Sequence, residues 1–143
     1  MLIRKSTAEW QGNLKDGKGR MKSGSGLLDV PYSAGTRFEN SPGTNPEELI
    51  GAAHAGCFSM AFANMLAQKG YIVNSVKTEA RVELEKLEKG FTITTVTLNT
   101  CADIPEIDEQ TFRTIAEQAK DGCPVSRALT GVKIRLEASL AGA

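Results

Sequence analysis

The chain has 143 residues, enough for one domain with a single core. Seventeen basic residues balance seventeen acidic ones, so no net field draws the protein to nucleic acid or to an anionic membrane. Three cysteines are too few, and odd in number, for a secreted disulfide framework, and the apolar and charged fractions of 41% and 24% are ordinary for a soluble protein.

The N-terminal Met1-Leu2-Ile3-Arg4-Lys5 runs at once into Ser6, Thr7 and Glu9, without the apolar stretch of a signal peptide. The expectation is a cytoplasmic, reducing compartment. Gly-rich punctuation at Gly17-Lys18-Gly19 and Ser23-Gly24-Ser25-Gly26 separates Leu2 to Trp10, Arg20 to Lys22 and Leu27 to Val30, which read as short strands joined by tight turns. Tyr32 to Gly43 reads as an irregular loop that contains Arg37.

Asn45-Pro46-Glu47-Glu48 is a strong helix start. Asn45 is the N-cap, Pro46 occupies the first helical position and Glu48 completes a capping box. The helix is expected to run to about Gln68, with Gly70 as its left-handed stop. From Leu49 to Ala67 it carries no charge, and that length admits a membrane span. Its Ala and Gly content, with His54, Ser59 and Asn64 inside it, argues instead for the buried centre of a soluble domain or dimer.

Val76, Thr78, Ala80, Val82 and Leu84 alternate with charged residues, the pattern of a half-buried strand. After a turn near Lys89-Gly90 the apolar phase slips between Ile93 and Val96, which predicts a bulge at Thr94-Thr95. Asp108 caps a helix carrying Phe112, Ile115, Ala116 and Ala119, and a short helix from Pro124 to Leu129 follows Gly122-Cys123. A last strand buries Val132, Ile134, Leu136 and Ala138. The order of elements argues an α+β fold over residues 1–143, with antiparallel sheets packed around a long central helix.

Few residues carry chemistry. Cys57 lies within the uncharged helix, without CxxC or Cys/His metal spacing around it. It is either core packing or a redox thiol. As a nucleophile it needs a cation to offset burial, and Arg37 is the best local candidate. Cys123, immediately before Pro124, faces the free amides of a short helix, and local physics makes it the more acidic of the two thiols. Cys101 falls on the polar face of its strand and reads as peripheral. His54, three residues before Cys57, reads as a hydrogen-bonded core group or as a partner of that thiol. Glu47 sits about 15 Å from Cys57 along a straight helix, too far to touch it, but it can orient Arg37.

Thr36-Arg37-Phe38-Glu39, the run from Asn45 to Ala61 through Ala52-Ala53-His54-Ala55-Gly56-Cys57, and Gly122-Cys123-Pro124-Val125-Ser126 resemble, in order and separation, the family of osmotically inducible protein C and the organic hydroperoxide resistance proteins. The Ala-Ala-His wording is closer to the osmotically inducible branch. The resemblance implies a thiol-dependent peroxidase without haem, flavin or metal, built as an intertwined homodimer. It makes Cys57 the thiol that attacks the peroxide, Cys123 the resolving thiol, and Arg37 with Glu47 the pair that activates the thiolate and orients the peroxide. It also implies an organic hydroperoxide substrate and a dithiol reductant of the dihydrolipoyl type, with no nucleic-acid or membrane partner. Phe58, Met60 and Phe62 stand out as apolar neighbours that could favour organic peroxides. Two competing readings are a non-catalytic stress-induced protein that binds an apolar ligand at its dimer interface, and a general thiol–disulfide exchange protein, which lacks the usual CxxC.

Overall fold

In the computed structural model, which describes residues 1–142, the chain opens as an antiparallel meander. Strands β1 (Ser6–Gln11), β2 (Lys18–Ser23) and β3 (Asp29–Tyr32) pair in that order. Gly19 in β2 is required by close approach. Trp10 and Tyr32 flank it with ring centroids 5.4 Å apart, and a Cβ at Gly19 would lie 2.5 Å from a Tyr32 ring carbon and 2.6 Å from one of Trp10. Only a residue without a side chain lets both rings close over the strand.

Helix α1 (Ala34–Phe38) follows, within the segment expected to be irregular. Ser33 and Thr36 cap each other: the Ser33 hydroxyl accepts from the Thr36 N–H at 3.3 Å, and the Thr36 hydroxyl accepts from the Ser33 N–H at 2.9 Å. Five residues are too few to show an apolar period, so the sequence pattern passes over this helix. The meander, α1 and the start of the next helix form one compact unit, Met1–Leu49.

Helix α2 (Pro46–Gln68) starts as its sequence dictates, with the Asn45 side chain accepting from the Glu48 N–H at 2.8 Å. The capping box is only half formed, because the Glu48 carboxylate accepts from the Thr44 hydroxyl at 2.8 Å instead of returning to Asn45. Gly70, at φ +90°, follows the helix as expected.

The second compact unit begins at Ile50. Strands β4 (Ser75–Leu87) and β5 (Gly90–Asp103) form a long antiparallel pair. Glu83 pairs with Thr95 and Leu84 with Ile93, so Thr94 is the extra residue of a bulge where the apolar phase slips. Strand β6 (Lys133–Leu140) lies on the other side of β5 but runs parallel to it, with Val96 beside Ile134 and Leu98 beside Leu136. The α+β architecture of two sheets and a long helix is as expected; the β5–β6 pairing is the departure, parallel where the sheets were read as antiparallel. The connection from β5 to β6 contains α3 (Glu109–Gly122) and α4 (Pro124–Ala128), a crossover long enough to return the chain in the same direction.

The core of this unit joins Phe58, Phe62 and Leu66 of α2 to Val96, Leu98 and Ala102 of β5 and to Phe112, Ile115, Ala116 and Ala119 of α3. By length and composition α2 could cross a membrane, with a mean hydropathy of 1.4, but its stripe His54, Phe58, Phe62 and Leu66 is wholly buried against protein. Gly51 sets how near α2 comes to the sheet: a Cβ there would stand 3.3 Å from Val82 Cγ2 and 3.4 Å from the Ala80 carbonyl. The Phe62 ring lies between Phe58 and Phe112, with centroids 5.5 and 5.4 Å away. Phe62→Ala is therefore expected to cost about 3–5 kcal/mol, measured as a fall in the urea unfolding midpoint at unchanged slope.

Candidate active site

The chemistry-bearing residues fall into two groups, one in each compact unit. In the first, α1 places Arg37 beside Glu47 at the start of α2. Arg37 Nη2 donates to Glu47 Oε1 at 2.6 Å, and Nε donates to Oε1 and Oε2 at 3.1 and 3.2 Å. Glu47 is buried, with its side chain 9% exposed, whereas the Arg37 side chain is 36% exposed. A fork of three hydrogen bonds fixes the guanidinium plane and leaves Nη1 without a hydrogen bond among the described residues. The guanidinium carbon lies 5.2 Å from the Phe38 ring centroid. Trp10, Leu14, Tyr32, Phe38 and Arg37 line a cleft of about 400 Å³, so a fixed cation borders an aromatic surface.

In the second unit, α2 and the junction of α3 with α4 bring Cys57 and Cys123 together, close enough for a side-chain hydrogen bond between the thiols. Both are reduced. Cys123 caps α4, its sulfur accepting from the Ser126 N–H at 3.4 Å, and it is fully buried. Cys57 remains partly exposed. Their environments push them apart. Burial pushes the Cys57 thiol up; a hydrogen bond from the Val125 backbone opposes the rise and the neighbouring Cys123 adds to it. Burial also raises Cys123, but hydrogen bonds from the Ser126 hydroxyl and backbone, from Cys57 and from the Val125 backbone outweigh it and hold that thiol below the ordinary range. Within this unit Cys123 is the more acidic thiol, as its cap position suggests.

His54 is wholly buried, and its Nε2 lies 2.7 Å from the Ser126 hydroxyl oxygen. Burial holds its imidazole below the ordinary histidine range, in the neutral form. Ser126 joins His54 to Cys123, at 3.4 Å from the sulfur, and the sequence reading assigned it no role. Its signal was available in Cys123-Pro124-Val125-Ser126, which puts a hydroxyl at the third position after a helix cap. Cys101 is exposed on β5, away from the described bonds of this cluster. Phe58 and Phe62 are fully buried in the core, so they cannot touch a peroxide, while Met60 is 77% exposed. Among the described residues, no three His, Cys, Asp or Glu side chains are grouped to hold a metal ion.

The sequence matches the family model described as OsmC-like protein over residues 38–137. Peroxiredoxin OsmC of Escherichia coli (strain K12) is 50% identical over 129 residues, covering 90% of this chain and 90% of that protein. Organic hydroperoxide resistance protein OhrB of Bacillus subtilis (strain 168) is 32% identical, covering 83% of this chain and 88% of its own length. The crystal structure of OhrB of Bacillus subtilis matches the fold with a TM-score of 0.78 at 29% identity, covering 96% of this chain and 98% of that one.

Proposed function

The chain belongs to the OsmC-like protein family, and we propose that it works as a cysteine-based peroxidase that reduces organic hydroperoxides, and hydrogen peroxide, to alcohols and water. The reading is carried by the thiol pair, in which a partly exposed Cys57 lies beside a buried Cys123. Cys57 attacks the peroxide as the thiolate. An S–O bond forms, the O–O bond breaks, and the departing alkoxide takes a proton to leave as alcohol. Cys123 then attacks the Cys57 sulfenic acid, forming the Cys57–Cys123 disulfide and expelling water, and an external dithiol of the dihydrolipoyl type restores both thiols.

Arg37, held by Glu47, supplies the positive charge that the rise in Cys57 demands and that the leaving oxygen needs. The protein acts as a cytoplasmic homodimer in this reading. Support comes from the outer face of α2, where Ala52, Ala53 and Gly56 are exposed and small enough to admit a second backbone, with the apolar Met60 exposed beside them. Mixed dimers that carry Cys57→Ser in one chain and Arg37→Met in the other decide whether the arginine serves its own chain or the partner.

The direct test treats the reduced protein with a slight excess of cumene hydroperoxide and maps the disulfides by mass spectrometry. The expected product is a Cys57–Cys123 linkage formed as one equivalent of peroxide disappears. Peroxide left unconsumed, with no such linkage, would reject the reading. Cys123→Ser should react once and stop with Cys57 oxidised, passing to sulfinic acid in excess peroxide.

A further inference from the structure

Two side chains of the thiol cluster have no task in this mechanism. His54 Nε2 lies 2.7 Å from Ser126 Oγ, and Ser126 Oγ lies 3.4 Å from Cys123 Sγ. The other imidazole nitrogen, Nδ1, is buried without a hydrogen-bond partner among the described residues. That asymmetry sets the direction of the chain of bonds. A buried orphan N–H is rarer than a buried unpaired acceptor, so the ring proton belongs on Nε2 and the bare lone pair on Nδ1. Nε2–H then donates to the Ser126 oxygen. The hydroxyl proton of Ser126 turns to the remaining neighbour, the Cys123 sulfur, which also accepts from the Ser126 N–H at 3.4 Å. Both donors of one serine converge on one sulfur. Such an arrangement favours the anion, because hydrogen bonds to a charged acceptor are about twice as strong as those between neutral groups.

We propose that Ser126 and His54 are positioning residues that hold the Cys123 sulfur as an anion, so that it resolves the Cys57 sulfenic acid and later departs first when the reductant arrives. The proposal rests on the peroxidase reading above. In the resolving step the Cys123 thiolate attacks the Cys57 sulfur. The S–S bond forms, the S–O bond breaks, and the departing hydroxide takes a proton from solvent. In the re-reduction a thiolate of the dithiol attacks Cys57, since the disulfide opens towards the better leaving thiol. The bonding pair leaves with Cys123, into the two donors of Ser126. A mixed disulfide remains on Cys57, and the second thiol of the reductant displaces Cys57 as the reductant closes to its own disulfide. Reductant is thus directed to the partly exposed sulfur and away from the buried one. The titratable groups beside the cluster are Cys57 and His54 of α2, with Lys120 and Asp121 of α3 sharing a small cleft with Ser126.

The test uses the full chain and compares two rates in a single turnover with cumene hydroperoxide: alcohol release and disulfide formation. In Ser126→Ala, which keeps the backbone donor, the ratio of the second rate to the first should fall roughly tenfold or more. Ser126→Thr, which keeps the hydroxyl, should restore it. His54→Phe should lower the ratio, and His54→Gln, whose amide can still donate to Ser126, should recover most of it. In a chain with Cys57→Ser and Cys101→Ser, the ultraviolet thiolate absorbance of Cys123 should titrate at higher pH once Ser126→Ala is added. A parental ratio with an unmoved titration overturns the proposal. So does a proportional fall of both rates along with the melting temperature, the mark of a merely structural pair. If the parent protein consumes no hydroperoxide, the peroxidase reading fails instead, and the titration still decides whether Ser126 holds the anion.

Discussion

Replacing Cys57 with serine is expected to reduce hydroperoxide consumption, assayed with excess dithiol, to the uncatalysed background. Two properties of the thiol pair point in opposite directions, and the substitution decides between them. Acidity favours Cys123, whose sulfur collects the Ser126 donors. Access favours Cys57, because Cys123 is 0% exposed while Cys57 is open to a small molecule. A nucleophile must reach its substrate before its pKa matters, so the proposed mechanism gives the first oxygen to Cys57. Serine keeps the shape but has a hydroxyl that stays protonated at neutral pH and a far less polarisable atom, so no other thiol inherits the role in place. Turnover that persisted in Cys57→Ser and vanished in Cys123→Ser would show that acidity had outweighed access. Turnover lost only in Cys101→Ser would sink the whole assignment.

Arg37→Met should slow the attack on hydroperoxide by about 10²–10³-fold, the usual loss when one preorganised donor to a developing oxyanion is removed. Methionine keeps much of the length and apolar bulk of arginine and deletes the charge. Two linked effects follow. In the proposed mechanism the leaving alkoxide loses its electrostatic partner and the Cys57 thiolate, which burial disfavours, loses the cation assigned to offset that burial, so the pH–rate profile for attack should move to higher pH. The substitution also strands the buried Glu47 carboxylate, which now accepts three hydrogen bonds from Arg37. Stability is therefore a second readout. Arg37→Met combined with Glu47→Gln should regain thermal stability without regaining rate. A single variant with the parental rate and pH profile would remove Arg37 from the mechanism.

What was legible in the chain was local. The start of α2 is written in Asn45-Pro46-Glu47-Glu48, and the bulge opposite Glu83 and Leu84 is written in the slip of apolar phase along β5. The cap position of Cys123 follows from the proline after it. Strand direction was not legible: alternation identifies the buried face of β6 but is identical for parallel and antiparallel neighbours, and the α3–α4 crossover decides. The short helix α1 was hidden because its capping pair, Ser33 and Thr36, looks like ordinary loop composition. The partner of His54 was hidden for a different reason. Ser126 lies 72 residues away, and no spacing rule links a helix interior to the third residue of another helix. Arg37 and Glu47, ten residues apart, were readable as a pair; the burial that stiffens them was not.

The closure of two rings over Gly19 has a practical consequence. Trp10 is the only tryptophan in the chain, and it borders the same cleft as Arg37. Indole emission from the unlabelled protein therefore arises at a single place, a built-in optical gauge that registers what enters beside the guanidinium.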